Sequence, residues 1–207
     1  VQLRFTSGLT SEEYIRQQAW SRATLSSCPV HPAGGCGFAR HASYGRKRPA
    51  GARVARYYCP KGRITFSLLP DCLASRLSST LVEVEQVVDE VECASESLER
   101  VAEKLRPDIE RQGAVRWMRR RMKAVRGVLV TVVGLLPALL AGQAATLEGF
   151  RKALGVTQVL PALREKAARH LASLPPPLGF GPRPVPRKTR TKRLQHGMGT
   201  DPPNGVA

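Results

Sequence analysis

The sequence predicts a mainly α protein, with a small β-hairpin module ahead of its helices and a disordered basic tail behind them. Three observations predict it. Residues 28–71 gather three of the five cysteines and two of the four histidines around short β-prone runs. From Thr80 the apolar residues recur at steps of three and four. Beyond Pro175, Pro and Gly dominate, and Arg183, Arg187, Lys188, Arg190, Lys192 and Arg193 stand without an acid, the composition of a chain that cannot offset its entropy by burial.

Residues 1–27 read as an N-terminal helical arm. Thr10 and Ser11 precede Glu12 and Glu13 as a helix start prefers, and Tyr14, Ile15 and Trp20 are placed to fold back as a packing arm. Residues 40–46 and 52–58 are β-prone and flank Lys47-Arg-Pro-Ala-Gly51, a segment with turn chemistry, so a hairpin is expected. No acid occurs between Glu13 and Asp71. Arg46, Arg48, Arg53 and Arg56 would therefore decorate a uniformly positive module.

The helical domain spans 80–174. Leu81, Val84, Val87, Val88 and Val91 form an apolar stripe between acids, and a second helix over 97–105 starts at Ser95 or Ser97 and ends before Pro107. A third covers 113–126. Val115, Met118, Met122, Val125 and Leu129 mark its packed face, leaving Arg116, Arg119, Arg120, Lys123 and Arg126 on the remainder. Two short helices before a basic third make a helix-turn-helix-like segment over 80–126.

Gly127 to Leu147 carries no charge and is close to the length of a membrane span. Gly134, Pro137, Gly142 and Gln143 interrupt it, which favours a buried helical hairpin. Helices over 146–154 and 157–174 follow, divided at Gly155.

The chain holds 33 Lys and Arg against 16 Asp and Glu, a net charge of +17. That excess points to an anionic partner, with nucleic acid first and an acidic membrane surface second. Five unevenly clustered cysteines argue against a disulfide framework. With no apolar signal segment at the start, the expected location is the cytoplasm with reduced thiols.

Cys28 and His31 have the spacing of a metal knuckle. Cys36 follows a flexible Pro-Ala-Gly-Gly, and Cys59 ends the hairpin. Together they are a complete set of nitrogen and sulfur ligands for a structural zinc. The alternative is a metal-free module held by Phe38, Tyr57, Tyr58 and Phe66. Cys72 and Cys93 read as small core residues, and His41 as a surface residue of the hairpin.

Cys28-Pro29, Arg40-His41-x-Ser43-Tyr44-x-Arg46, Arg56-Tyr57-Tyr58-Cys59 and above all Arg63-x-Thr65-Phe66-Ser67-Leu68-Leu69-Pro70-Asp71 resemble the zinc-ribbon head of insertion-sequence transposases and their stand-alone relatives. The resemblance covers roughly residues 28–126. It implies a ribbon followed by a helix-turn-helix, double-stranded DNA as partner, and a role accessory to a mobile element. The ribbon is degenerate, with Gly62 where the last cysteine would stand and His31 where the second would.

Transposase catalysis needs three carboxylates gathered by a large mixed fold to hold two metal ions. Here the acids concentrate between Glu83 and Glu110, and Glu148, Glu165 and Asp201 alone follow. The expectation is a non-enzymatic DNA-binding protein. A second reading is a helical module that docks residues 128–142 on a partner or membrane, with its basic regions on RNA or an acidic surface.

Overall fold

The computed structural model describes residues 1–181. The expected hairpin is present as β2 (Ala39–Gly45) and β3 (Arg53–Cys59), paired antiparallel with a register irregularity between Arg40 and Ala42. Its turn needs a glycine. Gly51 sits at φ 82°, and a Cβ there would lie 3.3 Å from Ile15 Cγ2, so a side chain would meet both strain and a packed neighbour.

Two further strands make the sheet larger than the hairpin expected from sequence. β4 (Ile64–Pro70) pairs antiparallel with β3, and β1 (Gln2–Phe5) pairs parallel with β4, giving the order β1-β4-β3-β2. The fold is therefore mixed α and β rather than mainly α with one hairpin. The cause is non-local. β1 is four residues long and is stabilised as a strand by Ser67, Leu68, Leu69 and Pro70, more than sixty residues away. β4 is buried from Phe66 to Pro70, the continuous apolar pattern of a covered strand, which periodicity alone does not distinguish from other buried segments.

The N-terminal arm packs as expected. Thr10 and Glu13 form a reciprocal capping box on α1 (Ser11–Arg16). Tyr14 is fully buried and donates its hydroxyl to the Arg53 carbonyl at 2.9 Å.

Three helices follow, α2 (Leu81–Cys93), α3 (Leu98–Leu105) and α4 (Arg111–Leu135). Thr80 and Glu83 cap α2, and Ser97 caps α3. α4 runs straight through Gly127 instead of ending at Arg126. A mid-helix glycine costs about 1 kcal/mol. Val128, Leu129 and Val132 outweigh it by extending the buried stripe begun by Val115, Met118, Met122 and Val125. The uncharged segment is thus the second half of α4 plus the short α5 (Pro137–Leu140), not a separate hairpin. Among the described residues, no helix is long and apolar enough to cross a membrane.

α6 (Leu147–Leu154) begins at Thr146 and closes at Gly155 in the left-handed conformation. α7 is shorter than expected, Val159–Lys166, before a 3₁₀ turn at Ala168–His170. Its N-terminus is capped from a distance. Glu85, 3% exposed, accepts from the Val159 and Leu160 amides at 2.8 Å each and from Arg151 at 3.2 Å.

The tail does not start at Pro175. Pro177, Leu178 and Gly179 are buried against the helical core, and Arg164 ties them down. This guanidinium, 1% exposed, donates to the carbonyls of Pro177 and Leu178 and, across the molecule, to those of Asp71 and Leu73. Residues 182–207, including the six tail cations, lie outside the described residues. Two cysteine expectations also change: Cys72 is half-buried and Cys93 is exposed.

Candidate metal centre and nucleic-acid interface

The four expected ligands converge. Cys28 and His31 sit in the loop before β2, Cys36 closes that loop, and Cys59 is the last residue of β3. Their ligand atoms all lie within 4.8 Å of one another. His31 Nδ1 is 3.7 Å from Cys28 Sγ and 3.3 Å from Cys59 Sγ. With metal bonds of about 2.3 Å to sulfur and about 2.0 Å to nitrogen, a tetrahedral site has ligand-to-ligand edges of about 3.5 Å, so the set is close to a closed cage.

Gly62 takes part without being a ligand. Its amide donates to Cys59 Sγ at 3.3 Å, stabilising the thiolate. Burial opposes ionisation of Cys28. Hydrogen bonds from the His31 ring and from the Val30 and His31 backbone outweigh that and lower its pKa. At Cys59, burial and the neighbouring Cys28 and Cys36 thiols raise the pKa. Such opposed shifts are what packed thiols show when a cation would resolve their mutual repulsion.

The aromatic support weighed as an alternative is present beside the cage. Phe38 stacks on Tyr57 at 5.3 Å and meets Phe66 edge-on at 6.0 Å. Tyr57 donates to the Ala23 carbonyl at 3.2 Å. Tyr58 instead pairs with exposed His41 at 5.9 Å. Thiols and rings thus form one cluster around Cys28, Cys36, Cys59, Tyr57 and Phe66.

No family model, curated protein or solved structure matches this chain. The argument for the second site therefore rests on the side chains themselves.

The nine basic residues singled out from sequence divide into two groups. Those of the hairpin are occupied. Arg46 donates to the Ala74 and Leu77 carbonyls, and Arg53 to the Ser43 hydroxyl and carbonyl at 2.9 and 3.1 Å. Arg56 lies over the Tyr44 ring at 4.4 Å, and Arg48 reaches Asp108 at 3.4 Å. These side chains mostly brace the β2–β3 hairpin and the 74–77 loop.

The α4 group is different. Arg116, Arg119, Arg120, Lys123 and Arg126 are all exposed, and none has a hydrogen-bond or ion-pair partner among the described residues. At 100° per residue they fall within about 120° of the helix circumference and span about 15 Å of its length. The opposite side carries Val115, Met118, Met122 and Val125, packed into the core.

Arg121 was not among the sequence candidates, although it continues the same basic run. The helical period puts it on the packed side, where it is 2% exposed. Its guanidinium stacks over Trp117 at 3.8 Å and donates to Ser79 Oγ at 3.1 Å. Burial, then the neighbouring Arg106 and Arg120, pull its pKa down to about 10, so it stays charged at neutral pH. Arg164 and Glu85 were likewise missed, because charged residues on amphipathic helices read as solvent-facing.

Proposed function

We propose that this chain is a non-catalytic DNA-binding protein, with a zinc-stapled N-terminal module and with α4 as the helix that meets double-stranded DNA. The observation that carries the reading is the row of five unpartnered cations on α4. A helix whose packed face is fully buried can offer such a row to phosphates without disturbing its core. The B-form major groove, about 12 Å wide, admits an α-helix, whereas the deep, narrow A-form groove does not. Double-stranded DNA is therefore the preferred partner over double-stranded RNA.

Zinc is the metal proposed for Cys28, His31, Cys36 and Cys59, since three thiolates and an imidazole in a closed four-ligand set suit that ion. The resemblance to the heads of insertion-sequence transposases supports a role accessory to a mobile element, and cytoplasmic DNA is the compatible setting.

The competing reading has less surface to work with. Val128, Leu129, Val132, Leu136 and Leu140 all point into the protein's own core. Val130, 65% exposed, and Leu139, 48% exposed, are the large apolar side chains left outside on that segment.

Replacing Arg119, Arg120 and Lys123 together with Gln tests the proposal. Thermal unfolding should stay nearly unchanged, because none of the three has a partner to lose. Duplex affinity should fall, and the slope of log K against log salt should become shallower by about 0.9 for each phosphate contact removed. Unchanged affinity and slope would overturn the assignment of α4. Loss of membrane or partner binding in the same variant would favour the competing reading.

A further inference from the structure

A buried guanidinium normally has a carboxylate beside it, because an unpaired charge is costly to bury. Arg121 has no ion pair among the described residues. Its partners are the Ser79 hydroxyl at 3.1 Å and the Trp117 carbonyl at 3.3 Å, and its Nε is buried with no partner. The Trp117 indole N–H is also buried and without a partner. Two unanswered donors on adjoining side chains ask for an acceptor.

Beside them is an open cleft of about 440 Å³, lined by Arg48, Ser79, Glu83, Gln86 and Trp117 among others. Ser79, 3% exposed, accepts from Arg121 through its oxygen, which leaves its own proton to donate. Arg48 stands at the cleft with only a long 3.4 Å contact to Asp108. Asp108 is already held by Arg106 through two bonds of 2.6 and 2.7 Å. Of the acids in the wall, Glu83 is engaged in capping Thr80 at 2.8 Å, while Glu90 is exposed. Their presence limits the affinity expected for an anion, but the buried groups are donors.

We propose that this cleft is a phosphate-binding seat, in which Arg48, Ser79 and the Trp117 indole donate to a tetrahedral oxyanion and the buried Arg121 supplies the countercharge. A phosphate group has acceptors on every side and matches a converging set of donors. The phosphate can belong to a nucleic-acid backbone or to a free phosphorylated molecule. The seat is separate from the α4 row and stands whether or not α4 binds duplex.

Indole N–H resonances test it, since the chain has two tryptophans, Trp20 and Trp117. Inorganic phosphate exchanged for chloride at constant ionic strength should move the Trp117 resonance saturably and leave Trp20 in place. Arg48→Ala, at an exposed position, and Ser79→Ala should each weaken the response at least about fivefold. Should Ser79→Ala fail to fold, Arg48→Ala decides alone. No saturable movement, or an unchanged titration in Arg48→Ala, overturns the seat. A duplex oligonucleotide that competes with phosphate at Trp117 identifies the nucleic-acid backbone as source. A duplex that binds while Trp117 still answers to phosphate identifies a free phosphorylated molecule.

Discussion

Removing residues 175–207 is expected to abolish cooperative folding or lower stability by about 5 kcal/mol, whereas removing 182–207 should leave thermal unfolding nearly unchanged. The first cut takes away the Pro177 and Leu178 carbonyls that receive Arg164. It leaves a charged side chain that is 1% exposed only partly satisfied. Breaking one side of a buried charged network costs about 3–5 kcal/mol. Loss of the fully buried Leu178 side chain adds about 2 kcal/mol. Domains of this kind are stable by only about 5–15 kcal/mol, so the sum is decisive. Arg164→Met should cost less than the truncation, because it removes the buried charge along with its bonds. Denaturant unfolding of the two truncations and the point variant checks this. Equal midpoints for the 1–174 and 1–181 chains would show that Arg164 does not hold the fold.

Chelating the proposed zinc is expected to give the second large effect, and a local one. About one zinc per chain should be found in protein purified without chelator. Its removal should open residues 28–63 while α2 to α7 keep their helicity. The reason is the division of the core. Cys28, Cys36, Cys59, Tyr57 and Phe66 form their own cluster, and the helices share another built on Val84, Met118, Leu129, Phe150 and Leu163. Assembly of the site is coupled to folding of the loop that carries it. Cys28, Cys36 and Cys59, buried now, should become reactive toward a thiol reagent after chelation, alongside the already exposed Cys93. Metal binding should weaken as pH falls, because the thiols and His31 must lose their protons to ligate. Absence of zinc together with unchanged thiol reactivity would leave the Phe38, Tyr57 and Phe66 cluster as the sole staple.

The sequence alone determined what depends on neighbours along the chain. Thr10 with Glu13, Thr80 with Glu83, Ser97, and Thr146 with Gly155 mark helix ends because a cap bonds backbone groups two or three residues away. The stripe of Val115, Met118, Met122, Val125 and Leu129 placed the α4 cations on the opposite face, since the helical period fixes both at once. The four ligands were legible because few side chains bind metal and theirs lie in one module. Tertiary structure alone decided the rest. β1 became a strand because β4 offered it an edge from more than sixty residues away. Arg46, Arg53 and Arg56 were taken from solvent by carbonyls, a hydroxyl and a ring that folding brought to them. Arg121, Arg164 and Glu85 went inside for the same reason. A charge can be buried only where partners distant in sequence meet it, and no local pattern records where that will be.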